Sequence, residues 1–414
     1  MSAYELITVV LFLAVIGGFL NYRFLKLPSV IGLTVVALFG SLGLIIMDHY
    51  LPELKLASHL TKILSEVRFE EAVLHWMLGF LLFAGALHVQ FEDLLARWRS
   101  ILSLATFGVL FSTLITGFLI KALGDLLNLG LPLLSCFIFG ALISPTDPVA
   151  VLAVLRQTRV PREIETVVIG ESLLNDGVAV VIFLGLLEFA FHPGHGFSFV
   201  LWLFVKEALG GLLLGGFLGL FFFFLLRQTD DYQLEVLMTI TLVMVVYTLA
   251  ERLHLSGPLG VVAAGLLIGN HGRKLAMSTE TVKHVDTFWE LIDGLLNAIL
   301  FLLLGLEVLV LEPLNRNLFL LVVLSIPAVL LARLLSVATS VKLARPAQKM
   351  RAPGTGFLAW CGVKGGIAVA LALTLPQEME ALFLPLTYAN VLFSVLVQGL
   401  SLGPLAQKIY GAKD

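Results

Sequence analysis

The chain has 414 residues, of which 59% are hydrophobic and 13% charged. Soluble domains carry about 25% charged residues, so a chain this poor in charge cannot clothe a water-facing surface. Its net charge of −3 excludes the basic balance of a nucleic-acid binder.

Apolar runs of about 20 residues, long enough to cross the hydrocarbon as helices, recur along the chain. They do not alternate as the strands of a membrane β-barrel would. The expected fold is therefore an all-α polytopic membrane protein with about 13 transmembrane helices. In chain order the spans are expected over 6–20, 30–47, 73–89, 101–123, 131–155, 164–189 and 200–226. The rest follow over 232–250, 259–268, 291–311, 318–341, 356–375 and 384–405, and residues 48–71 read as a polar, partly amphipathic stretch. No basic residue precedes the first run and no small-residue cleavage site follows it, so it reads as a span and not as a removable leader. Cys136 and Cys361 sit in apolar runs without metal-ligating neighbours and read as packing residues; no cofactor is expected. The chain stops a few residues past the last run, which leaves no soluble regulatory domain to expect.

Basic residues orient the bundle. Connections on one side hold Arg23, Lys26, Arg97, Arg99, Arg156, Arg159, Arg162, Arg227, Arg273, Lys274, Lys283, Lys342, Arg345, Lys349, Arg351, Lys408 and Lys413. The other side holds Lys55, Lys62, Arg68, Lys121, Lys206, Arg252 and Arg316, so the balance is seventeen against seven. The richer side is expected in the cytoplasm, with the N-terminus outside and the C-terminus inside a plasma (inner) membrane. An odd number of spans agrees with that arrangement.

An ionisable group in the hydrocarbon costs about 2.5–3.5 kcal/mol on insertion scales, so each one asks for a reason. Asp147, Glu171, Asp176, Arg333 and Lys364 lie deep in spans. Glu235, Glu290, Asp293 and Glu307 fall nearer span ends and read as interfacial, as do His75 and His88 around the third span.

Asp147 stands in Ser144-Pro145-Thr146-Asp147-Pro148. Both prolines lack an N–H, so no helix runs through this segment and the carbonyls of Ala141 and Ser144 lose their donors. Free carbonyls are tolerated at membrane depth only inside protein or along a polar cavity. A second interruption, Gly362-Val363-Lys364-Gly365-Gly366, carries a cation at its centre. Two interrupted helices in opposite halves of a chain point to a transport site at the midplane. Asp147 is suited to the positive ends of the broken helices, and Lys364 to the negative ends.

Between these breaks lies Glu171-Ser172-Leu173-Leu174-Asn175-Asp176. Residues four apart share a helix face, which pairs Ser172 with Asp176 and, about 100° round, Glu171 with Asn175. A hydroxyl and a carboxylate suit a small hard cation. Glu171 needs a counter-charge instead, and Arg333, the arginine deepest in a span, is the candidate.

Ser-Pro-Thr-Asp-Pro-Val at 144–149 and Glu-Ser-Leu-Leu-Asn-Asp-Gly at 171–177 resemble the two signatures of the monovalent cation:proton antiporters. The similarity is to the branch holding bacterial sodium/proton antiporters of the NhaP type and animal sodium/proton exchangers. Phe288-Trp289-Glu290, the stretch 296–301, Ala332-Arg333, the run after Gly366 and Val397-Gln398-Gly399 resemble it too.

The resemblance implies an antiporter-like fold of inverted repeats with two broken, crossing helices, assembled as a homodimer in the lipid bilayer. It implies a transport unit, expected over about 73–190 plus 291–377, moving against a dimerisation unit. It also implies that Asp176 takes either the cation or the proton, with Ser172 and Thr146 as further ligands and Asp147 and Asn175 beside them. Asn175 occupies a position where the charge-moving branch has a second aspartate, which implies electroneutral, one-for-one exchange. Glu171 and Arg333 match a structural ion pair. Two departures stand out. The third span reads Leu82-Phe83-Ala84-Gly85, where an acidic residue is usual in place of Ala84, and Lys364 replaces an arginine.

The expected activity is secondary antiport of Na+, with Li+ or K+ as alternatives, against H+. A channel, which passes a file of ions, fits a single carboxylate site less well. An intramembrane aspartyl protease would need a Gly-x-Gly-Asp stretch, and a zinc protease His-Glu-x-x-His; neither occurs.

Overall fold

The computed structural model describes residues 3–51, 60–61, 69–155, 158, 160–192, 197–311, 314–344 and 352–411. Most of the stretch 48–71 lies outside them. So do Lys55, Lys62, Arg68, Arg156, Arg159, Arg345, Lys349, Arg351 and Lys413 from the orientation count, and nothing is described of the His75 side chain.

Every regular element among the described residues is helical. The first half comprises α1 (Ala3–Leu20), α2 (Ser29–Tyr50), α3 (Leu78–Leu87), α4 (Phe91–Leu126), the pair α5 (Leu133–Leu142) and α6 (Pro148–Leu155), and α7 (Arg162–Phe191). The second comprises α8 (Phe197–Leu226), α9 (Tyr232–Arg252), α10 (Gly257–Leu267), α11 (Thr279–Leu306), α12 (Arg316–Ala344), the pair α13 (Ala352–Trp360) and α14 (Gly366–Leu373), and α15 (Gln377–Tyr410). Each expected apolar run falls on one of these helices or pairs. Among the described residues, nine helical stretches are long and apolar enough to cross a bilayer.

Two helices begin well before their apolar signal. α4 starts at Phe91 and not near 101, because its first turns are amphipathic and carry Glu92, Asp93, Arg97 and Arg99. α11 starts at Thr279, where the Ser278 hydroxyl accepts the Thr281 N–H at 3.3 Å and caps the helix. Two acids also depart from expectation. Glu235 and Glu307 are 0% and 6% exposed, since α9 packs against α10 and α11 from its first turns and the turn after α11 packs on α2. A residue at a span end is solvated only where no neighbouring element covers it.

The helices pack in two groups. In one, α2 packs on α1 and α11, and α10 on α3, α8 and α9. In the other, α4 packs on α5, α7 and α12, while α15 packs on α12 and α14. Glycines allow the closest approaches, as small residues do where helices meet in membranes. A Cβ on Gly140 would overlap the Thr113 carbonyl of α4, and one on Gly215 would overlap the Gly260 carbonyl of α10.

Candidate ion-binding site at two broken helices

The two interruptions meet. α5 ends at Leu142 and α6 begins at Pro148, while α13 ends at Trp360 and α14 begins at Gly366. The Asp147 N–H donates to the Val363 carbonyl at 2.8 Å, joining one unwound segment to the other. The carbonyls deprived by the prolines both find donors. Ala141 accepts from the Ser144 N–H at 3.2 Å, and Ser144 accepts from Lys364 Nζ at 3.0 Å.

The charges lie where the helix dipoles favour them. Lys364, 3% exposed, sits at the carbonyl end of α5. Asp147 Oδ1 accepts the Val149 N–H at 2.8 Å, at the amino end of α6. Its other oxygen lies against Gly365, which precedes α14; a Cβ there would come within 2.6 Å of Asp147 Oδ2. Glycine at 365 is thus required by the approach of a carboxylate.

α7 supplies the neighbouring side chains. Glu171 and Arg333 form a two-pronged ion pair, Nη1 to Oε1 at 2.5 Å and Nη2 to Oε2 at 3.0 Å. Both are buried, and the planar fork of arginine is what such a pair uses. Around the helix, Ser172 Oγ donates to the Thr146 carbonyl. Asn175 Nδ2 donates to Thr146 Oγ1 at 2.7 Å. Asn175 therefore faces the first break, although helical spacing groups it with Glu171. Thr146 holds both Ser172 and Asn175, because its carbonyl and hydroxyl project toward different positions on α7.

Asp176 is 4% exposed, and its Oδ1 is buried with no hydrogen-bond partner among the described residues. The same holds for Asn175 Oδ1. A buried carboxylate oxygen without a donor forfeits its hydration uncompensated, and is an arrangement that a proton or a cation would complete.

Asp176, Ser172 and Asp147 open onto a cavity of about 590 Å³ between the two helix groups. α3 lines one wall, including the buried Ala84, and α7 and α11 line others. At the rim Arg162 Nη2 donates to Asp93 Oδ2 and to Gln90 Oε1, each at 2.9 Å. Glu290, Asp293 and Asn297 of α11 also line the cavity. Reading Glu290 and Asp293 as span-end residues hides this, though the spacing of three and four that links them to Asn297 along an apolar helix places all three on one face.

Residues 9–408 match the family described as sodium/hydrogen exchanger, transmembrane. The chain belongs to the sodium/hydrogen exchanger family. Relatives of this exchanger include the Na(+)/H(+) antiporter NhaP of Pseudomonas aeruginosa, 43% identical over 420 residues and covering 99% of this chain and 97% of that one. The Na(+)/H(+) antiporter NhaH of Halobacillus dabanensis is 36% identical, over 94% of this chain and 93% of that one. The exchanger's fold matches the sodium proton antiporter MjNhaP1 from Methanocaldococcus jannaschii at pH 8, with a TM-score of 0.79 at 22% identity, covering 99% and 100% of the two chains. Family membership makes this protein a multi-pass membrane protein and a secondary transporter, not an enzyme.

Proposed function

We propose that this chain exchanges Na+ for H+ across the membrane, one for one, through competition for the Asp176 carboxylate. The observation that carries this reading is the buried, unpartnered Oδ1 of Asp176 at the deep end of the cavity. Ser172 and Thr146 are the further oxygen ligands in this reading, and Asp147 and Asn175 order them. The names of the relatives, Na(+)/H(+) antiporters in both cases, favour sodium over potassium.

An empty, charged Asp176 is the hardest state to move, because an unpaired ion in low dielectric is costly. A proton or a cation removes that cost, so only a loaded site crosses, and the two fluxes are coupled. Asn175 brings no second charge, in keeping with electroneutral exchange.

The packing favours a transport unit of α4–α7 with α12–α15, moving against α1–α3 and α8–α11. This differs from the division expected over 73–190 plus 291–377. It moves α3 and α11 to the other unit and brings α15 in, since α3 and α11 pack on α10 and α2 whereas α15 packs on α12 and α14. The cavity then lies along the seam that rocking would open and close. Its rim carries Arg162, with Arg97 and Arg273 on the same set of connections, so the positive-inside rule assigns the opening to the cytoplasm. A homodimer through the second unit completes this reading.

The test is proton flux in proteoliposomes, read by dequenching of a pH-sensitive dye on addition of Na+, Li+ or K+. Asp176→Asn should abolish the response to every cation while the purified protein keeps its elution profile. Normal exchange by that variant would remove Asp176 from the mechanism.

A further inference from the structure

Val397-Gln398-Gly399 lies on α15, outside the crossing, yet its glutamine reaches the second break. α15 is not regular here. Between Ser394 and Gln398 it widens into a π-turn, in which the Gly399 N–H donates to the Ser394 carbonyl five residues back. Such turns recur where a helix serves a site. Gln398 is buried. Its Nε2 donates to the Trp360 carbonyl at 3.1 Å, and its Oε1 accepts the Ser394 hydroxyl at 2.5 Å. The Trp360 indole Nε1 donates to Ser401 Oγ at 2.9 Å.

Trp360 is the last residue of α13. Its carbonyl loses its helical donor, because Lys364, four residues on, belongs to the unwound segment. At membrane depth that carbonyl needs a donor from elsewhere. Past the end of α5 the same need is met by the Lys364 ammonium on the Ser144 carbonyl. One break is thus capped by a cation from the other, and the other by a neutral amide from a third helix. The segment leaving Trp360 is held at successive residues. A Cβ on Gly362 would come within 2.4 Å of Arg333 Nε. The Val363 carbonyl receives the Asp147 N–H, and Lys364 reaches Ser144. Gln398 fixes the start of this run.

We propose that Gln398 is a positioning residue of the ion site. By holding the Trp360 carbonyl it sets where Val363 and Lys364 meet the first break, and with it the spacing of the oxygens offered to the ion. The inference rests on Asp176 being the exchange site, with Thr146 and Ser172 as its neighbours. A neutral donor does this without adding a charge to the crossing. Oxygen spacing discriminates cations by size, so Gln398 acts on the preference between Li+ and Na+ as well as on affinity.

The experiment compares Gln398→Met, Gln398→Asn, Ser394→Ala, Ser401→Ala and Asp176→Asn in proteoliposomes, with Na+ and Li+ titrated at constant pH. Gln398→Met keeps the volume and removes the donor. It should raise the Na+ KM about three- to tenfold and change the Li+ to Na+ ratio of kcat/KM about threefold or more, since a binding site tolerates displacements of only about half an ångström. Gln398→Asn keeps the amide on a shorter arm, and Ser394→Ala frees the amide to turn. Both should shift KM and the ratio in the same direction by less, and they carry the test if Gln398→Met does not fold. Ser401→Ala releases only the indole and should stay near wild type. Unchanged KM and ratio in the Gln398 and Ser394 variants, with only lower melting temperatures or less active protein, would overturn the inference and mark a packing role. An equal shift in Ser401→Ala would also overturn it, because general packing of α15 on α13 would then be at work. An active Asp176→Asn would instead overturn the reading of the exchange site.

Discussion

Lys364 Nζ donates to the carbonyl of Ser144 at 3.0 Å, across the point where two broken helices meet. The ammonium comes from one interruption and the orphaned carbonyl from the other, so each half of the chain supplies what the other half lacks. The same contact holds a buried lysine against the unwound segment that carries Asp147.

Lys364→Met keeps much of the side-chain volume but strands the Ser144 carbonyl and removes the cation. Leaving a buried acceptor unmade costs about 1–3 kcal/mol, so lower thermal stability is expected together with an exchange rate reduced about tenfold or more. Lys364→Arg keeps the charge and should retain most of the rate. Initial rates of dye dequenching distinguish the two, and equal rates for Met and wild type would show that the ammonium is dispensable.

The Glu171–Arg333 pair is expected to behave as a structural clamp between α7 and α12. Either Glu171→Gln or Arg333→Met alone leaves one buried group unmatched, at a cost of about 3–5 kcal/mol. The double variant should recover a large part of that loss, because neither charge then remains. Melting temperatures of the four proteins in detergent close the cycle. Additive losses would mean that the two residues contribute independently.

Competition for one carboxylate fixes the direction of the pH dependence. Below the carboxyl's pKa, each unit of acidification leaves about a tenth as many of the vacant sites deprotonated, so apparent Na+ affinity should fall about tenfold per pH unit. Above that pKa the KM should level off. Transport rates against Na+ at several pH values supply the measurement, and a KM flat throughout would separate the proton site from the cation site.

Much of this arrangement is legible from residue order, for physical reasons that apply unevenly. Pro145 and Pro148 break a helix wherever they stand, and an arginine as deep as Arg333 has few acids to choose from, so the first break and the Glu171 pair follow from local chemistry. The early starts of α4 and α11 do not, because Phe91–Ser103 and the first turns of α11 are amphipathic and dilute a hydropathy signal. Asn175 turns toward Thr146 because the break places a hydroxyl within its reach, a tertiary fact that spacing along α7 does not contain. Glu235 illustrates the converse: its position near a helix end is visible in the chain, but the helices that cover it are not.

The backbone bond from the Asp147 N–H to the Val363 carbonyl has a mechanical consequence. It splices two broken helices from distant parts of the chain together at their unwound segments. In the proposed rocking, a tilt of α6 would draw α14 with it. An ion held beside Thr146 in the proposed exchange would then travel with both broken helices.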